Sequence, residues 1–199
     1  MISTKTKVYQ VIKLMKNNEL KYFVKHFLDW DVPEQFFTTA SSSTGKHHPP
    51  EDNGKGGCIR HTLKAIQVGM DLCRLYNLND YNRDIIITAL LLHDSFKNWK
   101  DGKWNKHTNY EHGKVGADMI RYRAKNAYSF IYHPVISCQT YKQILKVAHL
   151  VEIHMGRWAQ PKKYLNFFRK RLEQIIIESD YIASRKGISF KVGKIMEEK

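Results

Sequence analysis

Cysteine is scarce in this sequence, and its spacing suggests no covalent or metal-bound framework. The chain has 3 cysteines among 199 residues, and Cys58, Cys73 and Cys138 lie far apart. An odd number at such spacing argues against a disulfide scaffold and against a Cys-x-x-Cys metal site. Because this usage is typical of proteins in a reducing compartment, we expect a cytoplasmic protein.

A long apolar run is also missing at the start of the chain. The first residues alternate charged with apolar side chains, whereas a signal peptide or a membrane span needs an unbroken apolar stretch. We therefore expect a soluble protein without a membrane partner.

Two further shortages indicate a helical protein. Glycine and proline are sparse, at 11 and 5 residues, and no alternating strand pattern runs for a useful length. Apolar residues instead recur at helical spacing in segments at about 8–15, 20–28, 58–78, 80–96, 110–125, 141–155 and 165–185. These segments predict an all-α helical bundle, with Tyr181 assigned to packing in the last helix.

The length of the chain suits one domain with a sizeable core. We expect residues 1–199 to divide into N-terminal helices at 1–40, a loop at 41–57 and a helical core at 58–186. The loop is rich in Ser, Gly, His and Pro, and long loops in compact domains often carry function. We therefore expect this loop to lie over the functional site.

Acidic residues are also few compared with basic ones. The chain has 19 Asp and Glu against 33 Lys and Arg, a formal net charge of +14. Such a charge attracts phosphate-rich partners, so nucleotides and nucleic acids are expected ligands. Because the basic residues form no long tract, a solvated basic surface and a groove for polyanions both remain open.

An ordered set of histidines and aspartates is the most informative pattern present. The adjacent pair His93-Asp94 ends an apolar run from Ile85 to Leu92, and Lys97 follows three residues later. Other members lie in predicted helices before and after the pair: His61, His112, His154 and Asp180. Imidazole and carboxylate ligands together suit Mn, Fe, Co, Ni or Zn better than Mg or Ca.

The same residues resemble the HD-domain metal-dependent phosphohydrolases over roughly residues 40 to 186. The similarity rests on five segments in the same order: 56–62, 90–97, 112–117, 149–156 and 179–185. The loop before His61 is also similar to that of the HD domains of certain 3′–5′ exoribonucleases. The resemblance implies an all-α HD-domain helical bundle.

The resemblance also implies the metal ligands. A first ion would be held by four residues: His61, His93, Asp94 and Asp180. His112 and His154 would hold a second ion, with the Asp94 carboxylate bridging the two. Simpler HD enzymes keep only the four-residue set and one ion, whereas the additional histidines here resemble the two-ion branch, and we expect two divalent transition-metal ions.

The activity implied is hydrolysis of a phosphoester or phosphodiester of a nucleotide or short nucleic acid by metal-bound hydroxide. Asp94 and Lys97 are the expected catalytic residues, the lysine as a phosphate contact, although a surface lysine at a helix end remains an alternative. Candidate substrate-binding residues are Lys46, His47, His48 and Arg157. For the first three the alternative is an ordinary polar loop, and for Arg157 with Trp158 it is a packed Trp beside a surface Arg.

Two other functions remain open at this point. The chain could be a non-catalytic HD protein that binds nucleotides or nucleic acids, although the presence of all six potential ligands argues against a decayed site. It could also be an oxygenase with a di-iron HD site, which breaks carbon bonds with a similar ligand set.

Overall fold

The computed structural model describes residues 4–45, 48–128, 135–158 and 170–188. Within these ranges the chain forms α1 (Thr4–Lys13), α2 (Asn18–Trp30), α3 (Gly57–Leu75), α4 (Asp80–Leu92), α5 (His112–Tyr128), α6 (Cys138–Ile153) and α7 (Arg171–Ala183). Short 3-10 helices span Glu34–Phe37, Pro50–Asn53 and Gly156–Trp158. The prediction of an all-α fold is confirmed.

A small β-hairpin between α4 and α5 departs from the sequence expectation, which contained no strands. Strand β1 (Trp99–Lys100) pairs antiparallel with β2 (Lys103–Trp104). The two turn residues, Asp101 and Gly102, have φ of 53° and 76°, and Asp-Gly is favoured where both turn residues need positive φ. The hairpin therefore follows from its turn, since two-residue strands are too short to show an alternating pattern.

Helix α4 lies at the centre of the protein. Every residue from Asp84 to Leu92 is buried, and α4 packs against α3, α6 and α7. Each fully buried Ile or Leu in this run contributes about 1.5–3 kcal/mol. Among the described residues, no helix combines the length and apolarity required to cross a membrane.

A buried polar cluster joins α2, α4 and α6 at the start of α2. Asn17 caps α2 by accepting hydrogen bonds from the backbone N–H groups of Glu19 and Leu20, and its amide donates to Thr140 and Gln143. The carboxylate of Asp84 accepts the backbone N–H groups of Lys16 and Asn17, both at 2.8 Å. We call the four residues Asn17, Asp84, Thr140 and Gln143 the polar junction.

Two glycines permit the close contacts that shape the functional end of the bundle. A Cβ on Gly113 would lie 2.9 Å from the carbonyl oxygens of Val151 and Glu152, so α5 approaches the backbone of α6 closely. A Cβ on Gly57 would lie 1.7 Å from the Asp52 carbonyl oxygen. The lack of a side chain at these positions brings α5 next to α6 and seats the 41–57 loop on the start of α3.

Candidate metal centre

The ends of several helices converge at one end of the bundle and bring the six predicted ligands together. His93 and Asp94 directly follow α4, His112 begins α5, and His154 directly follows α6. His61 lies in the second turn of α3, and Asp180 lies in α7. Five of these side chains are 6% exposed or less, whereas Asp180 is 22% exposed.

One group of donor atoms forms around His61 and His93. Their Nε2 atoms are 3.2 Å apart, and Oδ1 of Asp180 lies 2.9 Å from His61 Nε2 and 3.6 Å from His93 Nε2. Asp94 Oδ2 is 3.7 Å from His93 Nε2. We call these four residues the first ligand group.

A second group forms on the other side of Asp94. Its Oδ1 atom lies 3.1 Å from His112 Nε2 and 3.8 Å from His154 Nε2, and the two histidine Nε2 atoms are 3.1 Å apart. Asp94, His112 and His154 make up the second ligand group. The two Asp94 oxygens thus face different groups, as a bridging carboxylate would.

In three of the histidines, a hydrogen bond at the Nδ1 atom determines which ring nitrogen carries the proton. Nδ1 of His93, His112 and His154 lies 2.6, 2.6 and 2.7 Å from the carbonyl oxygen three residues earlier. A carbonyl oxygen only accepts, so each Nδ1 carries the proton and donates it. In the neutral ring, Nε2 then presents a lone pair to the cluster, as a metal-ligating histidine does.

This arrangement fits a bound cation. In the second ligand group, the lone pairs of His112 Nε2 and His154 Nε2 face each other and a carboxylate, and acceptors at about 3 Å repel unless a positive charge lies between them. A proton could satisfy one such pair. Two adjacent groups that share a carboxylate match the imidazole and carboxylate ligand set of divalent transition metals.

The pKa shifts of His154, Asp94 and Asp180 favour their metal-binding forms, whereas Asp94 and Asp180 raise the pKa of His93 against the effect of burial. Burial lowers the pKa of His154 to about 3, assisted by repulsion from His112 and His93, so its ring is neutral. Burial alone would raise the pKa of Asp94, but the positive Lys97 and neighbouring histidines hold it well below its usual value. The pKa of Asp180 is likewise held down by His61 and His93, against the effect of burial.

Lys97 is buried beside the cluster, so the alternative of a surface lysine does not apply. It is 6% exposed, and its ammonium group donates to Asp94 Oδ2 at 2.8 Å and to the carbonyl oxygen of Ser41. Burial would lower the pKa of Lys97, but the Asp94 carboxylate raises it. A protonated lysine therefore links the Asp94 carboxylate to Ser41 in the loop before α3.

The loop is fixed by contacts that the sequence did not reveal. Ser41 donates from both its backbone N–H and its hydroxyl to the Asp52 carbonyl oxygen, each at 2.9 Å. The Asp52 side chain accepts from the ammonium of Lys64 on α3 at 2.9 Å, and both groups are buried. These partners are 11 to 56 residues apart, and no local pattern predicts such pairs.

The loop residues predicted to bind substrate are only partly described. Lys46 and His47 lie outside the described residues. The His48 ring lies 4.8 Å from the His61 ring, centre to centre. Burial lowers the pKa of His48 to about 3, assisted by His61 and Lys97, so a neutral imidazole borders the first ligand group.

Arg157 lies over the ring of Trp158, 4.3 Å from its centre. Trp158 is 52% exposed, so the alternative of a packed Trp is wrong. The assignment of Tyr181 to packing is also wrong, because Tyr181 is 42% exposed and stacks on Trp158. The misleading signal was its place on α7, where Ile175 and Ile176 are buried.

Of three comparisons with known proteins, one gives a match. Searches of curated proteins and of solved structures found no match. The family model for the HD domain matches residues 58–184, a range that contains all six residues of the two ligand groups. HD domains bind divalent metals and are generally metal-dependent phosphohydrolases. Since the match covers well over half of the chain, this protein belongs to the HD domain family.

Proposed function

We propose that the protein is a metal-dependent phosphohydrolase that acts on a phosphoester or phosphodiester bond of a nucleotide or short nucleic acid. The observation that carries the proposal is the second ligand group. There, two histidine Nε2 atoms lie 3.1 Å apart with their lone pairs turned inward. A bridging carboxylate lies 3.1 Å from one of them.

The two ligand groups would hold two divalent ions. His61, His93, Asp94 and Asp180 would bind the first, and Asp94, His112 and His154 would bind the second. Bound divalent ions supply Lewis acidity at phosphoryl oxygens and lower the pKa of water towards neutrality. Burial keeps the His154 imidazole neutral, and the Val151 carbonyl oxygen that accepts from its Nδ1 turns its Nε2 inward.

Lys97 would act on the substrate as well as on Asp94. An ammonium group has three N–H donors, and its bonds to Asp94 and Ser41 use two of them. The third would donate to a phosphate oxygen. Because Lys97 is buried, this charge is screened by solvent much less than a surface charge would be.

The finer assignment to nucleotide substrates is supported by charge and by the residues beside the centre. The formal charge of +14 favours anionic ligands. His48 borders the first ligand group, and Arg157 follows His154 by three residues. The three cysteines are free thiols, which supports a reducing cytoplasmic location.

The test is hydrolysis after metal removal and reconstitution with Mn, Fe, Co, Ni or Zn. The panel contains bis-p-nitrophenyl phosphate, p-nitrophenyl phosphate, nucleoside mono- and triphosphates, and short oligonucleotides. Asp94→Asn removes the bridging charge with little change in shape. His154→Gln is a second variant that leaves the Asp94 to Lys97 ion pair intact, and its matched control is His149→Gln, since His149 lies on α6 but pairs with Glu173 on α7.

We expect turnover that depends on added metal, is lost in Asp94→Asn and His154→Gln, and persists in His149→Gln. Comparison of the rates on bis-p-nitrophenyl phosphate and on p-nitrophenyl phosphate would show whether the enzyme prefers diesters or monoesters. Tight metal binding with no turnover on any phosphate substrate would contradict the proposal and favour a non-catalytic HD protein or an oxygenase. Oxygenase activity would be recognised by consumption of dioxygen by the iron-loaded protein.

A further inference from the structure

Two exposed aromatic rings stack on each other, and each lies within four residues in sequence of a predicted ligand. The rings of Trp158 and Tyr181 are nearly parallel, with an interplanar angle of 9° and centres 6.1 Å apart. They remain 52% and 42% exposed. Two aromatic side chains from separate segments of the chain therefore stack on each other, and about half of each remains in contact with solvent.

Each ring also carries a guanidinium group. Arg157 lies 4.3 Å from the centre of the Trp158 ring, and Arg185 lies 4.2 Å from the centre of the Tyr181 ring. Contacts of this kind hold the charge over the π surface. We call these four residues the aromatic platform: two flat rings with a positive charge over each.

The platform is connected along the chain to two of the predicted ligands. Tyr181 directly follows Asp180, so their Cα atoms are about 3.8 Å apart, and Trp158 lies four residues after His154. Among the six predicted ligands, Asp180 has the most exposed side chain, at 22%. A substrate phosphate that enters past Asp180 would bring its neighbouring groups next to Tyr181.

We propose that the aromatic platform binds the nucleobase of the nucleotide whose phosphate lies at the metal centre. Stacking on aromatic rings suits a nucleobase because every base has a flat π face, and arginine adds a cation beside it. The two guanidinium groups also complement the negative charge of the nucleotide. This inference rests on the proposed hydrolysis and specifies that its substrate carries a base.

Stacking alone discriminates weakly between bases. It contributes similarly for every base because it does not read hydrogen-bonding edges. The platform therefore predicts a preference for base-containing over base-free esters, with little discrimination among the four bases.

The test compares two esters with the same leaving group, the p-nitrophenyl ester of thymidine monophosphate and methyl p-nitrophenyl phosphate. The quantity measured is the ratio of their kcat/KM values in the metal-loaded enzyme. We expect this ratio to fall about tenfold in Trp158→Ala and in Tyr181→Ala, equivalent to about 1.4 kcal/mol per ring. Matched controls are Trp30→Ala and Tyr122→Ala, since both residues are exposed, at 76% and 61%, and lie outside the platform; their ratios should match the wild type.

A second readout needs no turnover. Etheno-adenosine monophosphate is titrated into the metal-free protein and followed by fluorescence. We expect its Kd to be about tenfold larger in Trp158→Ala than in Trp30→Ala. Thymidine monophosphate and a thymidine dinucleotide are then used as competitors of the etheno-adenosine probe. Stronger competition by the monophosphate indicates a site for a free nucleotide, and stronger competition by the dinucleotide indicates a site for the end of a strand. Either competitor supports the platform if Trp158→Ala weakens its inhibition, and equal inhibition in both variants contradicts it.

Failure of this inference is distinguishable from failure of the proposed function. Hydrolysis of methyl p-nitrophenyl phosphate with the same ratio in Trp158→Ala as in Trp30→Ala would overturn the platform and leave the phosphohydrolase intact. Absence of hydrolysis of both diesters, together with no turnover of the monoesters and triphosphates in the wider panel, would overturn the phosphohydrolase. The etheno-adenosine titration would still decide the platform, which would be supported by weaker binding in Trp158→Ala and overturned by equal binding.

Discussion

Two of the buried polar clusters in the described part of the chain, the polar junction and the metal centre, differ in how their polar atoms are paired. In the polar junction, donors meet acceptors: Asp84 accepts two backbone N–H groups, and the Asn17 amide donates to Thr140 and Gln143. In the metal centre, lone pairs face each other, as with the Nε2 atoms of His112 and His154. The junction is thus largely satisfied by the protein itself, whereas the metal centre requires a cation.

The difference separates a structural cluster from a functional one. A satisfied hydrogen-bond network stabilises the fold without any ligand, and breaking it leaves an unpaired buried group. Repulsion between facing acceptors raises the free energy of the folded protein when no cation is bound. Binding of a cation removes this repulsion and stabilises the folded protein. Changes in the junction should therefore alter stability, and changes in the metal centre should alter activity and metal binding.

The largest expected effect is on turnover in the metal centre. His154→Gln removes a histidine from the second ligand group, and we expect kcat to fall about 10³-fold, because loss of metal assistance costs several kcal/mol in the transition state. The measurement is steady-state hydrolysis of the best phosphate ester. His149→Gln on the same helix is the control, and an equal loss in both variants would remove the distinction between ligand and non-ligand histidines.

The next effect is on stability at the polar junction. Asp84→Ala leaves the backbone N–H groups of Lys16 and Asn17 without their acceptor, and we expect the free energy of unfolding to fall by about 2–4 kcal/mol. Urea unfolding of the metal-free protein measures it. The kcat of the folded fraction should stay within about twofold of wild type, and a larger loss of kcat would show that the two clusters are coupled.

Metal addition should stabilise the protein through the metal centre alone. At a free metal concentration about 100 times Kd, each bound ion contributes about 2.7 kcal/mol, which raises Tm by about 5–10 °C per ion for a chain of this size. Thermal unfolding with and without metal measures the shift. Asp84→Ala should show the wild-type shift from a lower starting Tm, while His154→Gln should show a smaller one; a full shift in His154→Gln would contradict the role of the second ligand group.

The smallest effect concerns pH at the edge of the polar junction. Hydrogen bonds from the Ser137 hydroxyl and backbone N–H lower the pKa of Glu19 in the folded protein. Because the folded pKa lies below the unfolded one, the stabilisation is present above about pH 4.5 and is lost as pH falls through the lowered value. Glu19 is half-buried and keeps contact with solvent, so Glu19→Gln should cost less than about 1 kcal/mol.

Urea unfolding at pH 7 and at pH 3 checks this sign. The difference between wild type and Glu19→Gln should be measurable at pH 7 and should shrink at pH 3. A difference that grows towards acid would contradict the account of this hydrogen bond.

The sequence predicts the helices and the six potential ligands because both leave local signatures. Apolar spacing marks α4, and the order of histidines and aspartates matches a known motif. The Asp101-Gly102 turn also had a readable signal. The bond from Lys97 to Ser41 joins residues 56 positions apart, and the stack of Trp158 on Tyr181 joins separate segments. Such contacts depend on how the helices pack, which no short segment encodes.

The most direct test of the account is the number of metal ions bound per chain. Metal-free protein would be titrated with Mn²⁺ by isothermal calorimetry, and bound metal measured after dialysis by elemental analysis. We predict two ions per wild-type chain and per His149→Gln chain, but one ion per His154→Gln chain. A single ion in the wild type with the same stoichiometry in His154→Gln would contradict the claim that the facing histidines form a second metal site.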